Sequence, residues 1–153
     1  MLNRKGFTLI EVLAVVVILG VLAAIIVPSV NSLITKNKAD SYQKLKNNII
    51  IAAKNYFSDY RYEIVIDTSG SCNDKNQRIV KKVPDIVDDI NSKLPISVLV
   101  KKDYIKQPIK NPMNSSKTLD LNNSYVTVWY SCQTKDYIFS IIDNEDDSEL
   151  TWN

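Results

Sequence analysis

The chain has 153 residues, with 19 Lys and Arg against 17 Asp and Glu, no His, two Cys and three Gly. This length suits one modest globular domain, and the absence of His removes the commonest general base and metal ligand. Two Cys cannot form a zinc cluster, and three Gly provide no phosphate-binding loop. We therefore expect neither an enzyme nor a cofactor.

An apolar segment extends from Phe7 to Val27. As a helix its about 21 residues would be roughly 32 Å long, enough to cross the ~30 Å hydrocarbon layer of a membrane. Arg4 and Lys5 precede it, so we expect the N-terminus in the cytoplasm and the remainder outside. A secretory signal peptide has a shorter apolar core that precedes its small-residue cleavage site, whereas here the small residue comes first. The segment therefore predicts a single membrane span.

One carboxylate, Glu11, lies near the start of this apolar segment. A charge inside a membrane helix costs roughly 2.5–3.5 kcal/mol on insertion scales, so such a residue normally has a partner and a function. A simple membrane anchor would explain the apolar segment but would leave Glu11 unexplained.

The string KGFTLIEVLAVV, from Lys5 to Val16, closely resembles the prepilin signal of type IV pilins and pseudopilins. The resemblance implies cleavage between Gly6 and Phe7, methylation of the Phe7 amine, and a role for Glu11 in filament assembly. It also implies the partners: other copies or other pilins, a prepilin peptidase and N-methyltransferase, an assembly platform, and the membrane.

Cleavage after Gly6 would remove Arg4 and Lys5 and leave equal numbers of basic and acidic side chains. A near-neutral protein lacks the basic excess of a generic nucleic-acid binder, so we do not expect nucleic-acid binding. One basic cluster keeps a DNA-uptake alternative open, although a solvated surface explains it as well. The cluster consists of Lys101, Lys102, Lys106 and Lys110.

The apolar pattern continues beyond Pro28 at steps of three and four residues, the spacing of one helical face. We predict one long helix over about residues 7–62, with an apolar first half and an amphipathic second half that packs on a sheet. The residues predicted to face inward are Leu33, Ile34, Tyr42, Leu45, Ile49, Ala52, Ala53, Tyr56 and Tyr60.

Gly20 and Pro28 are the two weak points of this predicted helix. Pro28 lacks an N–H and should kink the axis at about 3 kcal/mol or more, and Gly20 costs about 1 kcal/mol relative to Ala. A plain kink is one interpretation. The resemblance implies another, because pilins often lose helical order between the corresponding positions when they enter a filament.

Beyond the helix we predict a head with a small antiparallel sheet. Its β-branched and aromatic runs predict strands at Tyr125–Cys132 and Tyr137–Ile142, joined as a hairpin. Short helices are expected at Val83–Ile90 and, with Pro95 in its first turn, at Leu94–Val100. The fold class is α+β, a long N-terminal helix packed on a small antiparallel sheet, which is also the pilin architecture. The expected divisions are a leader (1–6), a transmembrane and assembly half of the helix (7–30), an amphipathic half (31–62) and the head (63–153).

Residues 103–112, DYIKQPIKNP, resemble the Gly-Tyr-Leu-Lys…Pro…Asp-Pro segment that joins helix to sheet in many pilins. Asp103 stands where that segment has Gly, and Asn111 stands where it has Asp.

Cys72 and Cys132 both lie outside the membrane in the predicted topology, where disulfides persist. Many pilins have a disulfide near the C-terminal end, and the resemblance therefore supports a Cys72–Cys132 pair. Two unpaired thiols are the alternative in a reducing host.

The acidic segment 143–149 offers calcium candidates, since some secretion pseudopilins bind calcium near their C-terminal loops. It lacks the glycine and the ligand order of an EF-hand, so a solvated acidic loop without metal is our interpretation. The candidates are Asp143, Glu145 and Asp147.

The main functional expectation is a structural subunit of a type IV pilus for adhesion or motility, which moves from the inner membrane to the cell surface on assembly. The alternative is a pseudopilin of a type II-like secretion machine or of a DNA-uptake machine.

Overall fold

The structure is a computed structural model that describes residues 8–69, 71–86, 90–141 and 150–153, without the side chain of Pro28. Its contacts divide the chain into two units, the first ending at Asp40 and the second beginning at Ser41. The described elements are α1 (Leu9–Asp59), β1 (Val65–Ile66), β2 (Gln77–Lys82), β3 (Lys93–Pro95), α2 (Ile96–Lys101), β4 (Tyr125–Ser131) and β5 (Tyr137–Ser140).

Helix α1 confirms the predicted long helix, and its C-terminal part supplies one side of the core. Ile49, Ala53, Tyr56 and Phe57 are buried, at the three- and four-residue spacing of one helical face. The prediction that Leu33 and Ile34 face inward is wrong. Both are about half exposed, because they precede Ser41, where the unit that contains the sheet begins.

The sheet is antiparallel throughout, with the strand order β1-β2-β4-β3 and with β5 also paired to β4. Strand β4 is therefore the centre of the sheet, and Val126 and Val128 on it are fully buried. The Phe57 ring of α1 lies 4.9 Å from the Tyr137 ring and 5.2 Å from the Phe139 ring of β5. These contacts confirm an α+β fold in which a long helix packs on a small sheet.

The last four residues close the core at the end of the sheet. Leu150 is buried, and the Thr118 and Asn153 backbones exchange two hydrogen bonds of 2.9 Å. Thr151 N–H donates to the Ser124 hydroxyl at 2.9 Å.

The helix predicted at Val83–Ile90 is wrong for its described part. Pro84 and Asp85 form a turn, in which Asp85 has a φ of 69°, and residues 87–89 lie outside the described residues. Tertiary hydrogen bonds hold this region in place: the Tyr56 hydroxyl donates to the Pro84 carbonyl at 2.8 Å, and Ile90 N–H donates to the Lys81 carbonyl at 2.8 Å.

The short helix predicted at Leu94–Val100 begins later than expected. Leu94 and Pro95 belong to β3, and α2 begins at Ile96 with Pro95 as its N-cap residue. Strand β5 begins at Tyr137 as predicted and ends at Ser140, while Ile142 lies outside the described residues.

Asp103 ends helix α2 in a left-handed conformation with a φ of 61°. Tyr104 N–H donates to the Leu99 carbonyl at 2.9 Å, and Asp103 N–H donates to the Val100 carbonyl at 3.1 Å. This is the Schellman pattern, which usually has glycine at the left-handed position. Glycine would adopt this conformation without a Cβ penalty, and the pilin segment that this stretch resembles has glycine at this position.

Substitution of Asp103 should reveal the energetic cost of its left-handed conformation. Asp103→Gly should raise the free energy of unfolding by up to about 1 kcal/mol, since glycine adopts positive φ without a Cβ penalty. Asp103→Val should lower it by roughly 1–2 kcal/mol. Denaturant unfolding of the full chain in detergent, followed by the fluorescence of Trp129 and Trp152, measures both.

The control is Asp74→Gly, in an exposed turn where the residue does not have positive φ. It should be neutral or destabilising, because glycine there only adds unfolded-state entropy. If Asp103→Val leaves the free energy of unfolding unchanged and Asp103→Gly does not raise it, the left-handed conformation at Asp103 has no energetic cost and the prediction is wrong.

Candidate functional site

The N-terminus of α1 is a reciprocal capping arrangement between Thr8 and Glu11. The Thr8 backbone N–H and hydroxyl each donate to Oε2 of Glu11 at 3.1 Å, and Glu11 N–H approaches the Thr8 hydroxyl oxygen at 3.3 Å. The spacing Thr-x-x-Glu and these contacts define a capping box, which satisfies helix-end donors and places a carboxylate at the positive end of the helix dipole. Glu11 therefore has a partner within its own chain.

Thr8 is a partner of Glu11 that the sequence-based expectations did not include, although its signal is present in the sequence. Thr8 lies three residues before Glu11, which is the spacing of a capping box. The two leader-site residues, Gly6 and Phe7, lie outside the described residues. Cleavage, methylation and an amine contact at Phe7 stay predictions.

The apolar side chains between Leu9 and Val27 form a surface that is exposed around the helix. The most apolar stretch of α1 has no residue buried within the chain, and it is long and apolar enough to cross a membrane. Leu9 is 89% exposed, and Ile18 and Val27 are each more than half exposed. Such a surface requires lipid or other subunits to cover it.

Gly20 and Pro28 do not interrupt α1, which is assigned as helix through both positions. A Cβ at Gly20 would meet no atom within 4 Å beyond its chain neighbours and the adjacent helix backbone, so it would project into open space. Next to Pro28, the Ser29 hydroxyl donates to the Ile25 carbonyl at 3.2 Å, a bond that often accompanies helix bending. Loss of helical order between these residues in a filament stays a prediction.

The predicted basic cluster is partly engaged within the head. Lys102 Nζ lies 3.0 Å from the Asp85 carboxylate and 5.2 Å from the centroid of the Tyr60 ring. The bond to Asp85 is the main cause of the raised pKa of Lys102. The other three lysines, Lys101, Lys106 and Lys110, are exposed.

Tyr104 ties the segment after α2 to the end of α1. Its hydroxyl donates to the Asp59 carboxylate, and this bond, together with desolvation, raises the pKa of Tyr104 to about 12. Tyr56, buried beside it, has a pKa raised mainly by burial. Both phenols are therefore neutral at physiological pH and act as hydrogen-bond donors that position the head against α1.

Cys72 and Cys132 form a disulfide, as the resemblance implied, with their Cα atoms 6.5 Å apart. Cys132 N–H donates to the Asn76 carbonyl at 2.9 Å. Cys72 precedes β2 and Cys132 follows β4, so the bond closes the end of the sheet where these two paired strands meet.

The calcium candidates Asp143, Glu145 and Asp147 lie outside the described residues. Within residues 8–69, 71–86, 90–141 and 150–153, no group of three or more His, Cys, Asp or Glu side chains is arranged to hold a metal ion.

The N-terminal part of the chain is similar to known proteins. Residues 1–27 match a family model described as the prokaryotic N-terminal methylation motif. The chain is 40% identical over 61 residues to the type II secretion system core protein G of Aeromonas hydrophila and 38% identical over 61 residues to that of Escherichia coli (strain K12). It is 43% identical over 63 residues to that of Vibrio cholerae.

These matches cover 40–41% of this chain and 39–40% of each relative. The matched part thus spans about two fifths of the length of the relatives. No solved structure matches the chain.

Reduction of the disulfide should destabilise the head. In the chain-entropy model a cross-link across a sequence separation of 60 residues contributes about 4 kcal/mol. The unfolding midpoint of the full chain in detergent should therefore fall on addition of a reductant. The Cys72→Ser/Cys132→Ser variant is the control and should not respond to reductant. Equal midpoints for the oxidised and reduced parent protein would contradict a stabilising bond.

Proposed function

We propose, on the premise that the N-terminal segment of this chain is that of the type IV pilin and pseudopilin family, that the protein is a pseudopilin of a type II-like secretion machine. The match to the methylation motif supports the family, and the three protein G relatives support the pseudopilin. The main expectation from the sequence alone is a type IV pilus subunit for adhesion or motility. The relatives favour the alternative over that expectation.

In this proposal the protein acts by assembly and not by catalysis. The subunit begins in the cytoplasmic membrane with its N-terminus inside, where lipid covers the apolar surface of α1. A prepilin peptidase cleaves it, and the subunit then joins a short filament in which neighbouring helices replace the lipid. Leu9 is 89% exposed, and apolar side chains after it are exposed as well. These side chains support the replacement of lipid by neighbouring helices, because either environment removes apolar surface from water.

The observation that carries the assembly step of this proposal is the Thr8–Glu11 capping box at the start of that apolar surface. In the membrane, Thr8 supplies hydrogen bonds to the Glu11 carboxylate and reduces the penalty of an unpartnered charge. After cleavage, the Phe7 amine is a cation four residues away. A neighbour's amine can then approach the same carboxylate and set the axial register.

The strength of this attraction depends on its surroundings. Two unit charges at ~4 Å attract by about 1 kcal/mol in water and about 4 kcal/mol at an effective dielectric constant of 20. The attraction between the Phe7 amine and the Glu11 carboxylate is therefore stronger in a low-dielectric setting, such as the interior of a bundle of apolar helices.

Replacement of Glu11 separates assembly from folding. Glu11→Val should leave membrane residence and the head intact, since Glu11 contacts only the first turn of α1 among the interactions described. It should lower filament assembly at least about tenfold, because the charge pair is lost. Chemical cross-linking in membranes of the native host, at matched protein levels, measures assembly as a ladder of oligomers.

The matched control is Asp40→Val, which removes an exposed carboxylate from the same helix and should retain the ladder. A normal ladder from Glu11→Val would show that Glu11 does not direct assembly.

Imaging of the parent cells, together with an export assay of a strain that lacks this protein, separates the two family functions. A pseudopilin should support the export of secreted proteins without long surface filaments. Abundant long filaments on the parent cells, together with unchanged export in the deletion strain, would indicate a type IV pilin instead.

A further inference from the structure

A surface cleft of about 310 Å³ opens beside the disulfide of the head. Cys72 and Cys132 both line it and are both half-buried. Arg78 of β2 and Lys135 of the β4–β5 turn are the cationic side chains of its lining. The disulfide is therefore accessible to an attacking thiol, in surroundings that favour an anionic sulfur.

The cationic environment is not symmetrical about the two sulfurs. Nε of Arg78 donates to Sγ of Cys72 at 3.5 Å. The register of the sheet fixes this contact, because Arg78 pairs with Tyr130, two residues before Cys132, while Cys72 lies on the chain that enters β2. A guanidinium bonds a thiolate more strongly than a neutral sulfur, so Arg78 favours negative charge on Cys72.

Within the part of the chain that the structure describes, the charge of Arg78 is not paired with a carboxylate. Its terminal nitrogen donates to the backbone carbonyl of Asp67 at 3.4 Å. The Asp67 carboxylate instead accepts two hydrogen bonds from Ser69 and lies 3.2 Å from Lys81 Nζ. Those bonds, first the one from the Ser69 hydroxyl, lower the pKa of Asp67 to about 2. Among the described residues, no carboxylate lies within ion-pair distance of Arg78.

We propose that this cleft is a thiol–disulfide exchange site of fixed polarity, in which an incoming thiolate attacks Sγ of Cys132 and Sγ of Cys72 leaves as a thiolate bonded to Arg78. The partner is a dithiol oxidoreductase. A bond forms between its sulfur and Sγ of Cys132, and the Cys72–Cys132 bond breaks, with the electron pair remaining on Cys72. The rate of exchange rises as the leaving thiol becomes more acidic, which is the effect that Arg78 supplies.

The second step completes the exchange. The other thiol of the partner, as a thiolate, attacks the partner's own sulfur in the mixed disulfide and releases Cys132 as a thiolate that takes up a proton. The partner is thereby oxidised to a disulfide, and the cysteine pair gains two electrons. This inference does not depend on the proposed function, because it concerns only the chemistry of the head.

Brief exposure of the oxidised full chain in detergent to glutathione, followed by quenching with N-ethylmaleimide, tests the polarity. Glutathione has one thiol and cannot resolve the mixed disulfide by itself. Maleimide alkylates the freed protein thiol before that thiol recloses the bond, and peptide mass spectrometry locates the trapped mixed disulfide. We expect glutathione on Cys132 and maleimide on Cys72 in roughly tenfold excess over the reverse arrangement. Arg78→Gln should remove this preference and slow the reaction.

Arg61→Gln is the matched control, because Arg61 is the other arginine of the unit that begins at Ser41 and does not line the cleft. It should keep the parent's preference and rate. Equal labelling of the two sulfurs in the parent, or an excess of glutathione on Cys72, would overturn the proposal. A preference that survives Arg78→Gln would equally overturn it, since the polarity would then not come from Arg78.

Discussion

The rest of the structure depends on one constraint: a single helix carries more apolar surface than its own chain covers. From Ile49 onward α1 buries side chains against the sheet, as Tyr56 and Phe57 show. Between Leu9 and Val27 the same helix has no cover. Burial of apolar surface contributes about 25 cal/mol per Å², so cover by lipids or by other apolar helices would stabilise this part of α1. The residues from Ser41 onward, in contrast, contain a core of their own.

Glu11 is the polar group that, in the proposed function, gives this segment a role beyond that of an anchor. Its capping contacts with Thr8 resolve the difficulty of a carboxylate in an apolar helix without any other subunit. They also place the carboxylate at the helix terminus, where a filament neighbour's amine can compete for it. In the proposed function, helix capping and filament assembly use the same carboxylate in succession.

The long helix and the two strands with strong local patterns were predictable from sequence. The three- and four-residue spacing around Tyr56 locates the buried face of α1, and the alternation at Val126 and Val128 locates β4. Strands β2 and β3 were not predicted, because β2 is rich in charge and β3 has three residues including Pro95. Their pairing with β4, which is distant in sequence, decides their conformation.

Some of the candidate sites were predictable from the sequence, and others required the structure. The prepilin signal and the Cys72–Cys132 pair were suggested by resemblance, and the Thr8–Glu11 spacing was visible but was overlooked. The contact between Arg78 and Cys72 could not be predicted, because it requires the register of β2 against β4 and the course of the chain before β2. The Asp103 position was only partly predictable. The sequence shows that Asp stands where the resembling segment has glycine, but the positive φ of Asp103, which favours glycine, is known only from the structure.

The most direct measurement is the intact mass and the N-terminal peptide of the protein purified from membranes of its native host. The account predicts a chain that has lost residues 1–6 and begins at Phe7 with one added methyl group on its amine, since that amine is the proposed partner of Glu11. A chain that retains its first six residues, or one that begins after Ala24 or Pro28, would contradict the account.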